Sequence, residues 1–242
     1  MRETLFKGRP HPSNGFRLRG HEIQRIETFS DGVFAFAVTL LIVSLEVPKT
    51  FEELLISMRG FAAFGICFTL LLLVWHEQHV FFRRYALGDQ TTIVLNAMLL
   101  FIVLFYVYPL KFLFSLLFSD QIYGRGKNPF SINQDQMPQL MVIYGLGYMV
   151  IYTLFALMYL HALRRRSALE LTDAEVFDTR SKVFAHGILI AIGAGSILLA
   201  MILPGRMAGL SGWLYMAIGP AFWVYFTRRG VRRRRLFEGG KG

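Results

Sequence analysis

The chain has 242 residues, of which 54% are hydrophobic and 17% charged, and its mean hydropathy is +0.45. A soluble domain of this size does not need so apolar a composition to form its core, so the composition predicts an integral membrane protein. The single cysteine, Cys67, excludes an intrachain disulfide and a cysteine-based metal cluster. The formal net charge of +10 also occurs in nucleic-acid-binding proteins, but its distribution along the chain argues against that class.

The chain opens with residues 1–28, a basic and polar segment without the apolar core of a cleavable signal peptide. We therefore expect the first span to act as its own insertion signal. A basic tail, residues 228–242, closes the chain. Between these two flanks, residues 29–227 are predicted to form one membrane domain.

Six apolar stretches within this domain are long enough to cross a bilayer. A hydrocarbon core about 30 Å thick requires roughly 20 apolar residues per helix. The runs are continuous rather than alternating, which favours helices over a β-barrel. The fold class is therefore predicted to be an all-α, polytopic membrane protein. The predicted spans are 29–47, 61–81, 92–117, 139–163, 183–203 and 210–227.

The positive charges are distributed asymmetrically across this topology. Of the 26 Lys and Arg residues, twenty fall on the side that carries both ends of the chain and six on the other. This bias predicts that both termini are cytoplasmic. The C-terminal sequence RRGVRRRRLF is then interpreted as an orientation determinant that rests on anionic headgroups, rather than as a nucleic-acid-binding arm.

The first span begins with charged side chains. In the sequence RIETFSDGVFAFAVTLLIVSLEV, Arg25, Glu27 and Asp31 lie within the first two turns. A charged group at the centre of a span costs about 2.5–3.5 kcal/mol, and less near the interface, so such groups normally face protein or water. Arg25 and Asp31 are roughly 240° apart on a helix, so each needs partners on other helices or subunits unless the helix is interrupted. Capping of the helix by Ser30 and Asp31 is the alternative.

A longer pattern contains these residues. Arg25, Phe29, Ser30 and Asp31 spell R-x-x-x-F-S-D, and GVFAFAVTLLIVSLEVP follows. This sequence resembles the start of the first helix in the transmembrane protein 175 family, the lysosomal and prokaryotic potassium channels. The second span ends in WHEQHVFFRRY, in which Trp75 and His79 fit the same family.

The resemblance extends into the third span and covers roughly residues 25–109. Asn96 and Pro109 match an asparagine and a proline of the family's third helix. Gln78 departs from the pattern, because relatives commonly have a histidine there.

The resemblance implies a function and an assembly. First helices of the family line the pore of a potassium channel, and single-repeat relatives are homotetramers. The sequence contains no T-V-G-Y-G-like segment that would supply a carbonyl filter. We therefore expect a homotetrameric channel in a prokaryotic cell membrane, with K⁺ as the permeant ion, modest selectivity over Na⁺ and no cofactor.

The resemblance also selects the pore-lining face of the first helix. A heptad-like stripe is present, but the span is apolar all round, so periodicity alone does not separate a pore wall from a lipid contact. The members of the stripe are Phe29, Val33, Phe36, Leu40, Val43 and Val47. The family places the constriction at Phe36, Leu40 and Val43, with Thr39 beside them, and usually has isoleucine where Phe36 stands.

The remaining motif residues are assigned to a scaffold that holds this wall. We expect the scaffold to be bonded between the first and second helices near the inner mouth of the pore. Its members are Arg25, Phe29, Ser30, Asp31 and His79.

Parts of the sequence also resemble those of two other functional classes. The sequence WHEQH resembles a zinc protease motif, but its histidines are three residues apart rather than four and a third ligand is not apparent, so neither a metal site nor an enzyme is predicted. A secondary transporter of a small ion or solute is the stronger alternative, because glycines and prolines occur in the last two spans. Those residues mostly fall near span ends, however, and the two halves of the chain do not visibly repeat.

Overall fold

The computed structural model describes residues 16–20, 22–43, 48–124, 132–133 and 135–237. Throughout these ranges the regular structure is helical, with no strand, which confirms the predicted all-α class. The helices are α1 (Arg25–Val43), α2 (Phe51–Arg59), α3 (Phe61–Tyr85), α4 (Gln90–Leu117), α5 (Ser119–Tyr123), α6 (Met137–Arg164), α7 (Asp173–Ile202) and α8 (Ile218–Phe237).

Within the described ranges, five helical runs are long and apolar enough to cross a membrane, as judged by length and composition. They are Phe51–Tyr85, Gln90–Leu117, Met137–Arg164, Asp173–Ile202 and Met207–Phe237. The first predicted span corresponds to α1, which carries Arg25, Glu27 and Asp31 in its opening turns. Residues 44–47 of that predicted span lie outside the described residues.

The last predicted span differs from expectation in both conformation and extent. It begins as a 3₁₀ helix, Gly205–Ala217, and continues as α8. Helix α8 then runs past residue 227 to Phe237, so the first part of the basic tail is an extension of the last membrane helix.

A large apolar core joins α1, α3, α4 and α6. Leu41, Phe81, Leu99 and Phe155, one from each helix, have no exposed surface. Behind them α6 and α7 approach so closely that a Cβ added at Gly145 would clash with Ile197 Cγ1. Small residues that permit such backbone approach are common at helix contacts in membranes.

The N-terminal residues 16–20 fold back over the ends of α3 and α7. The ring of Phe16 packs edge-on against Tyr85 at 5.7 Å. Arg19 donates to both carboxylate oxygens of Glu175, at 3.1 and 2.8 Å, and the backbone N–H of Arg17 donates to the same side chain at 2.8 Å. These residues lie at one end of the bundle, which we call the basic end.

Asp89, in the link between α3 and α4, forms a further set of polar contacts. Asp89 accepts a hydrogen bond from Thr92 Oγ1 at 2.7 Å and lies 2.8 Å from Nε2 of His161 on α6. Partial burial raises the pKa of the Asp89 carboxyl, but these two hydrogen bonds, with the charges of His161 and Arg165, outweigh it and hold that pKa below its usual value. The carboxylate therefore stays ionised and joins α6 to the α3–α4 link.

A polar cluster fastens α3 to α6 and α7 inside the bundle. The carboxylate of Glu77 accepts two hydrogen bonds from Lys182 Nζ, both 2.8 Å, and one from the Tyr159 hydroxyl at 2.7 Å. His186, nearly fully buried, lies 3.7 Å from the same carboxylate. Glu77 belongs to the WHEQH sequence that resembles a zinc protease motif. In the structure it is ion-paired to Lys182, 105 positions further along the chain.

Replacing Lys182 with Met should lower the free energy of unfolding by about 1–3 kcal/mol, because the largely buried Glu77 carboxylate loses its ion-pair partner and two of its three hydrogen bonds. Denaturant titration of the detergent-solubilised protein measures this loss. Lys49→Met, at an exposed position, is the matched control and should have little effect. The double variant Glu77→Gln/Lys182→Met should recover part of the stability; a double variant as unstable as the single one would contradict the ion-pair explanation.

Candidate functional site

Helix α1 has one face packed in the bundle and one face directed outward. Ser30, Phe34, Ala37 and Leu41 are buried and recur every three or four residues, so they form a single stripe against α3 and α4. The opposite face is exposed along the described part of the helix. This burial pattern fixes the rotation of α1 about its own axis.

A chain of buried hydrogen bonds sets that rotation. Asn96 of α4 donates through Nδ2 to Ser30 Oγ at 2.9 Å. Gln78 of α3 donates through Nε2 to Asn96 Oδ1 at 2.8 Å. All three side chains are at most 2% exposed. The Ser30 hydroxyl in turn donates to the Ile26 carbonyl at 2.7 Å, so the chain ends on the α1 backbone.

Asp31, the next residue, contacts α3 at the rim of this face. Its carboxylate accepts a hydrogen bond of 2.7 Å from the indole N–H of Trp75. The Trp75 ring stacks on the imidazole of His79, with 5.5 Å between centroids. Among the described residues, therefore, the hydrogen-bond partner of Asp31 is a neutral indole rather than a cation, and His79 is linked to it through Trp75.

The other two scaffold candidates lie further from these contacts. Phe29 is 65% exposed, and Arg25 is exposed at the first position of α1. Among the residues that the structure describes, the Arg25 side chain forms no hydrogen bond or ion pair. The structure thus joins Ser30, Asp31 and His79 to the α3–α4 scaffold and leaves Arg25 and Phe29 on the outer surface of the protomer.

The predicted constriction residues are distributed over the outward face and its edge. Phe36 is 56% exposed, and Thr39 is exposed with its hydroxyl donating to the Ala35 carbonyl at 2.9 Å. Leu40 is half-buried and packs against the core. Val43 is the last residue of α1, and its side chain lies outside the described part of the structure, as does the whole of Val47.

The outward face combines apolar side chains with small and polar ones. Asp31, Gly32, Ala35 and Thr39 are all exposed there. Beside them a shallow groove of about 260 Å³ runs between α1 and α3, with Asp31 and Trp75 at one end. Polar groups in a membrane helix normally face protein or water, and small residues favour helix contacts. The composition of this face therefore suits contact with another subunit or with water better than contact with acyl chains.

Sequence reasoning missed two polar contacts that help to hold α1 in place. Gln78 occupies the position where the family pattern commonly has histidine, and its role in the buried chain depends on α4 lying alongside α3. At the other end of α1, Lys111 of α4 donates from Nζ to the Leu41 carbonyl at 3.1 Å. A lysine inside an otherwise apolar span was the available signal, because such a group needs a nearby acceptor.

Comparison with known proteins links this geometry to a family. Residues 25–106 match the model of the endosomal/lysosomal potassium channel TMEM175 family. A potassium channel of Marivirga tractuosa is 40% identical over 237 residues, which covers 92% of this chain and 94% of that protein. A potassium channel of Streptomyces collinus is 33% identical over 107 residues, 42% of this chain and 52% of its own length.

A solved structure matches the fold along most of the chain. It is the crystal structure of a variant of the potassium channel MtTMEM175 in complex with a nanobody–MBP fusion protein. The TM-score is 0.79 at 39% sequence identity, and the match covers 92% of this chain and 98% of that one. The similarity thus extends beyond the motif-bearing helices into α6 and α7.

Replacing Asn96 with Leu removes the buried hydrogen-bond partner of both Ser30 and Gln78. The free energy of unfolding should fall by about 1–3 kcal/mol for each of these two side chains that is left without a hydrogen bond. Chemical unfolding of the purified protein measures the change. Asn133→Leu, at an exposed loop position, is the matched amide control and should be near neutral. Equal unfolding midpoints for the two variants would show that the buried chain does not stabilise α1.

Proposed function

The chain belongs to the endosomal/lysosomal potassium channel TMEM175 family, and from that premise we propose that it forms a potassium-permeable channel whose pathway runs between copies of α1. The observation that carries this proposal is the outward face of α1. Phe36 and Thr39 are exposed on it, while the buried chain from Ser30 to Gln78 prevents the helix from turning that face inward.

A single protomer does not enclose such a pathway, so the proposal includes assembly. The outward face bears Asp31, Gly32 and Thr39, which are unfavourable against acyl chains and favourable against a second copy or water. Cyclic symmetry would place four copies of this face around one axis. We take the homotetramer, with residues 29–227 of each chain as the channel domain, as the assembly.

The proposed barrier to ions is a ring of apolar side chains. Phe36, Leu40 and Val43 would narrow the pathway, and a narrow apolar segment favours an empty pore because ions lose hydration there without replacement. Thr39 would offer partial replacement oxygens. Potassium holds its water less tightly than sodium, so the ring would favour K⁺ modestly, without a carbonyl filter.

The orientation of the chain is proposed from the basic end. Residues 16–20 contact Glu175 at the start of α7, and Arg229 and Arg233 near the end of α8 both contact Asp178, one turn further along. The two ends of the described chain are therefore on the same side of the bundle. Since Lys and Arg concentrate on the cytoplasmic side, we place both termini in the cytoplasm of a prokaryotic cell.

Reconstitution in planar bilayers with unequal K⁺ and Na⁺ on the two sides tests the function. We expect unitary currents and a reversal potential displaced part of the way toward the K⁺ equilibrium value. Saturating flux that depends on a counter-ion, without unitary currents, would instead identify a transporter.

Truncating the proposed ring tests its position. Phe36→Ala and Leu40→Ala should each raise leak current or lower the preference for K⁺ over Na⁺, because a wider apolar segment hydrates more readily. Val38→Ala is the matched control, because Val38 packs against the core on the α3 side of α1, and its truncation should leave the reversal potential unchanged. Wild-type currents in both ring variants would place the constriction elsewhere.

A further inference from the structure

A groove lies between α7 and α8, neither of which packs against α1. Its volume is about 950 Å³, at the upper end of the range of about 300–1,000 Å³ typical of ligand pockets. Along α7 it extends from Phe177 to Ile188, a rise of roughly 16 Å at 1.5 Å per residue. It therefore begins at the basic end and reaches well into the apolar part of the bundle.

Two contacts hold the walls of the groove in place. The Tyr225 hydroxyl of α8 donates to the Ser181 carbonyl of α7 at 2.8 Å, and the Tyr225 ring stacks on Phe184 at 5.2 Å. At the basic end, Asp178 pairs with Arg229 and with Arg233. Because α7 and α8 are tied at these points, the space between them is a fixed feature of the fold.

The lining of the groove changes character along its length. Phe184 is 61% and Val224 40% exposed, and both lie in the apolar part together with Ile188 and Ala221. This wall continues into the apolar outer surface of α8, where Trp223 is 73% exposed. An occupant of the apolar part therefore enters from the bilayer rather than from water.

Four arginines line the basic end of the groove. Arg229 is paired with Asp178, whereas Arg180, Arg228 and Arg232 are exposed. The nearby carboxylate, Asp178, is already occupied by Arg229 and Arg233. Across the described part of the chain, no Asp or Glu lies within ion-pair distance of the three exposed arginines. The mouth of the groove thus presents positive charge that the protomer itself does not neutralise.

We propose that this groove binds an anionic phospholipid, with its phosphate among Arg180, Arg228 and Arg232 and an acyl chain along Phe184, Ile188 and Val224. The planar guanidinium matches phosphate oxygens in bidentate geometry. The positive mouth complements a negative headgroup, and the apolar wall complements a hydrocarbon chain. This site is separate from the α1 face and does not depend on ion selectivity.

Native mass spectrometry of the full chain in detergent tests the proposal, with phosphatidylglycerol and phosphatidylcholine as the added lipids. Phosphatidylglycerol should bind more tightly. Arg228→Gln/Arg232→Gln should weaken it about thirtyfold, since each basic group near an anionic headgroup contributes roughly fivefold. Val224→Trp should also weaken binding, because it fills the apolar part while every charge remains.

Arg164→Gln/Arg166→Gln is the matched control, since both residues are exposed at the end of α6 and lie outside the groove. It should leave phosphatidylglycerol binding nearly unchanged. An equal loss in this control would reduce the effect to general surface charge and overturn the proposal. Full competition by inorganic phosphate would show that the apolar wall is not used. A changed subunit number in Arg228→Gln/Arg232→Gln, with lipid binding intact, would make the groove a subunit contact instead.

Discussion

The rest of the structure depends on a requirement imposed by hydrocarbon: a polar side chain inside the bundle needs a partner within the protein. For α1 that partner is Asn96, which also binds Gln78, so three helices share one chain of hydrogen bonds. A rotation of α1 would break these bonds and would also remove Phe34 and Leu41 from the core. The hydrogen bonds and core contacts of the inward face therefore determine which residues of α1, among them Phe36 and Thr39, face outward.

A second set of polar contacts organises the basic end and the interior near it. Arg19 joins the N-terminal residues to Glu175, Arg229 joins α8 to Asp178, and Lys182 joins α7 to Glu77. Each of these pairs joins two different segments of the chain. Together they hold α3, α7 and α8 in fixed relative positions. The helices that do not face the proposed pathway thus form a support against which α1 is placed.

The fold was largely predictable from the sequence, because a bilayer imposes a minimum length on each apolar run. Helices α3, α4, α6 and α7 overlap the predicted spans closely. Length and composition do not reveal backbone conformation, however, so the 3₁₀ start of the last span was not predicted. The extension of α8 to Phe237 was missed because a run of arginines usually marks the end of a span.

The candidate site was predictable only where a motif was present. The R-x-x-x-F-S-D pattern led to Ser30 and Asp31, and both contact neighbouring helices. Pairing across long stretches of sequence, such as Lys182 with Glu77, leaves no local signal, so it appears only once the helices are assembled. The positions of Phe36, Leu40, Val43 and Thr39 along a pathway stay a prediction, because a pathway involves more than one copy of the chain.

The contact between Lys111 and the Leu41 carbonyl has a mechanical consequence. It ties the last turns of α1 to α4, whereas the first turns are tied to both α3 and α4. Moving either end of α1 away from the bundle therefore breaks a polar contact with a neighbouring helix. Bending between the two tethers, around Gly32 and Ala35, breaks none of these hydrogen bonds, so in terms of polar contacts it is the least costly deformation of this helix.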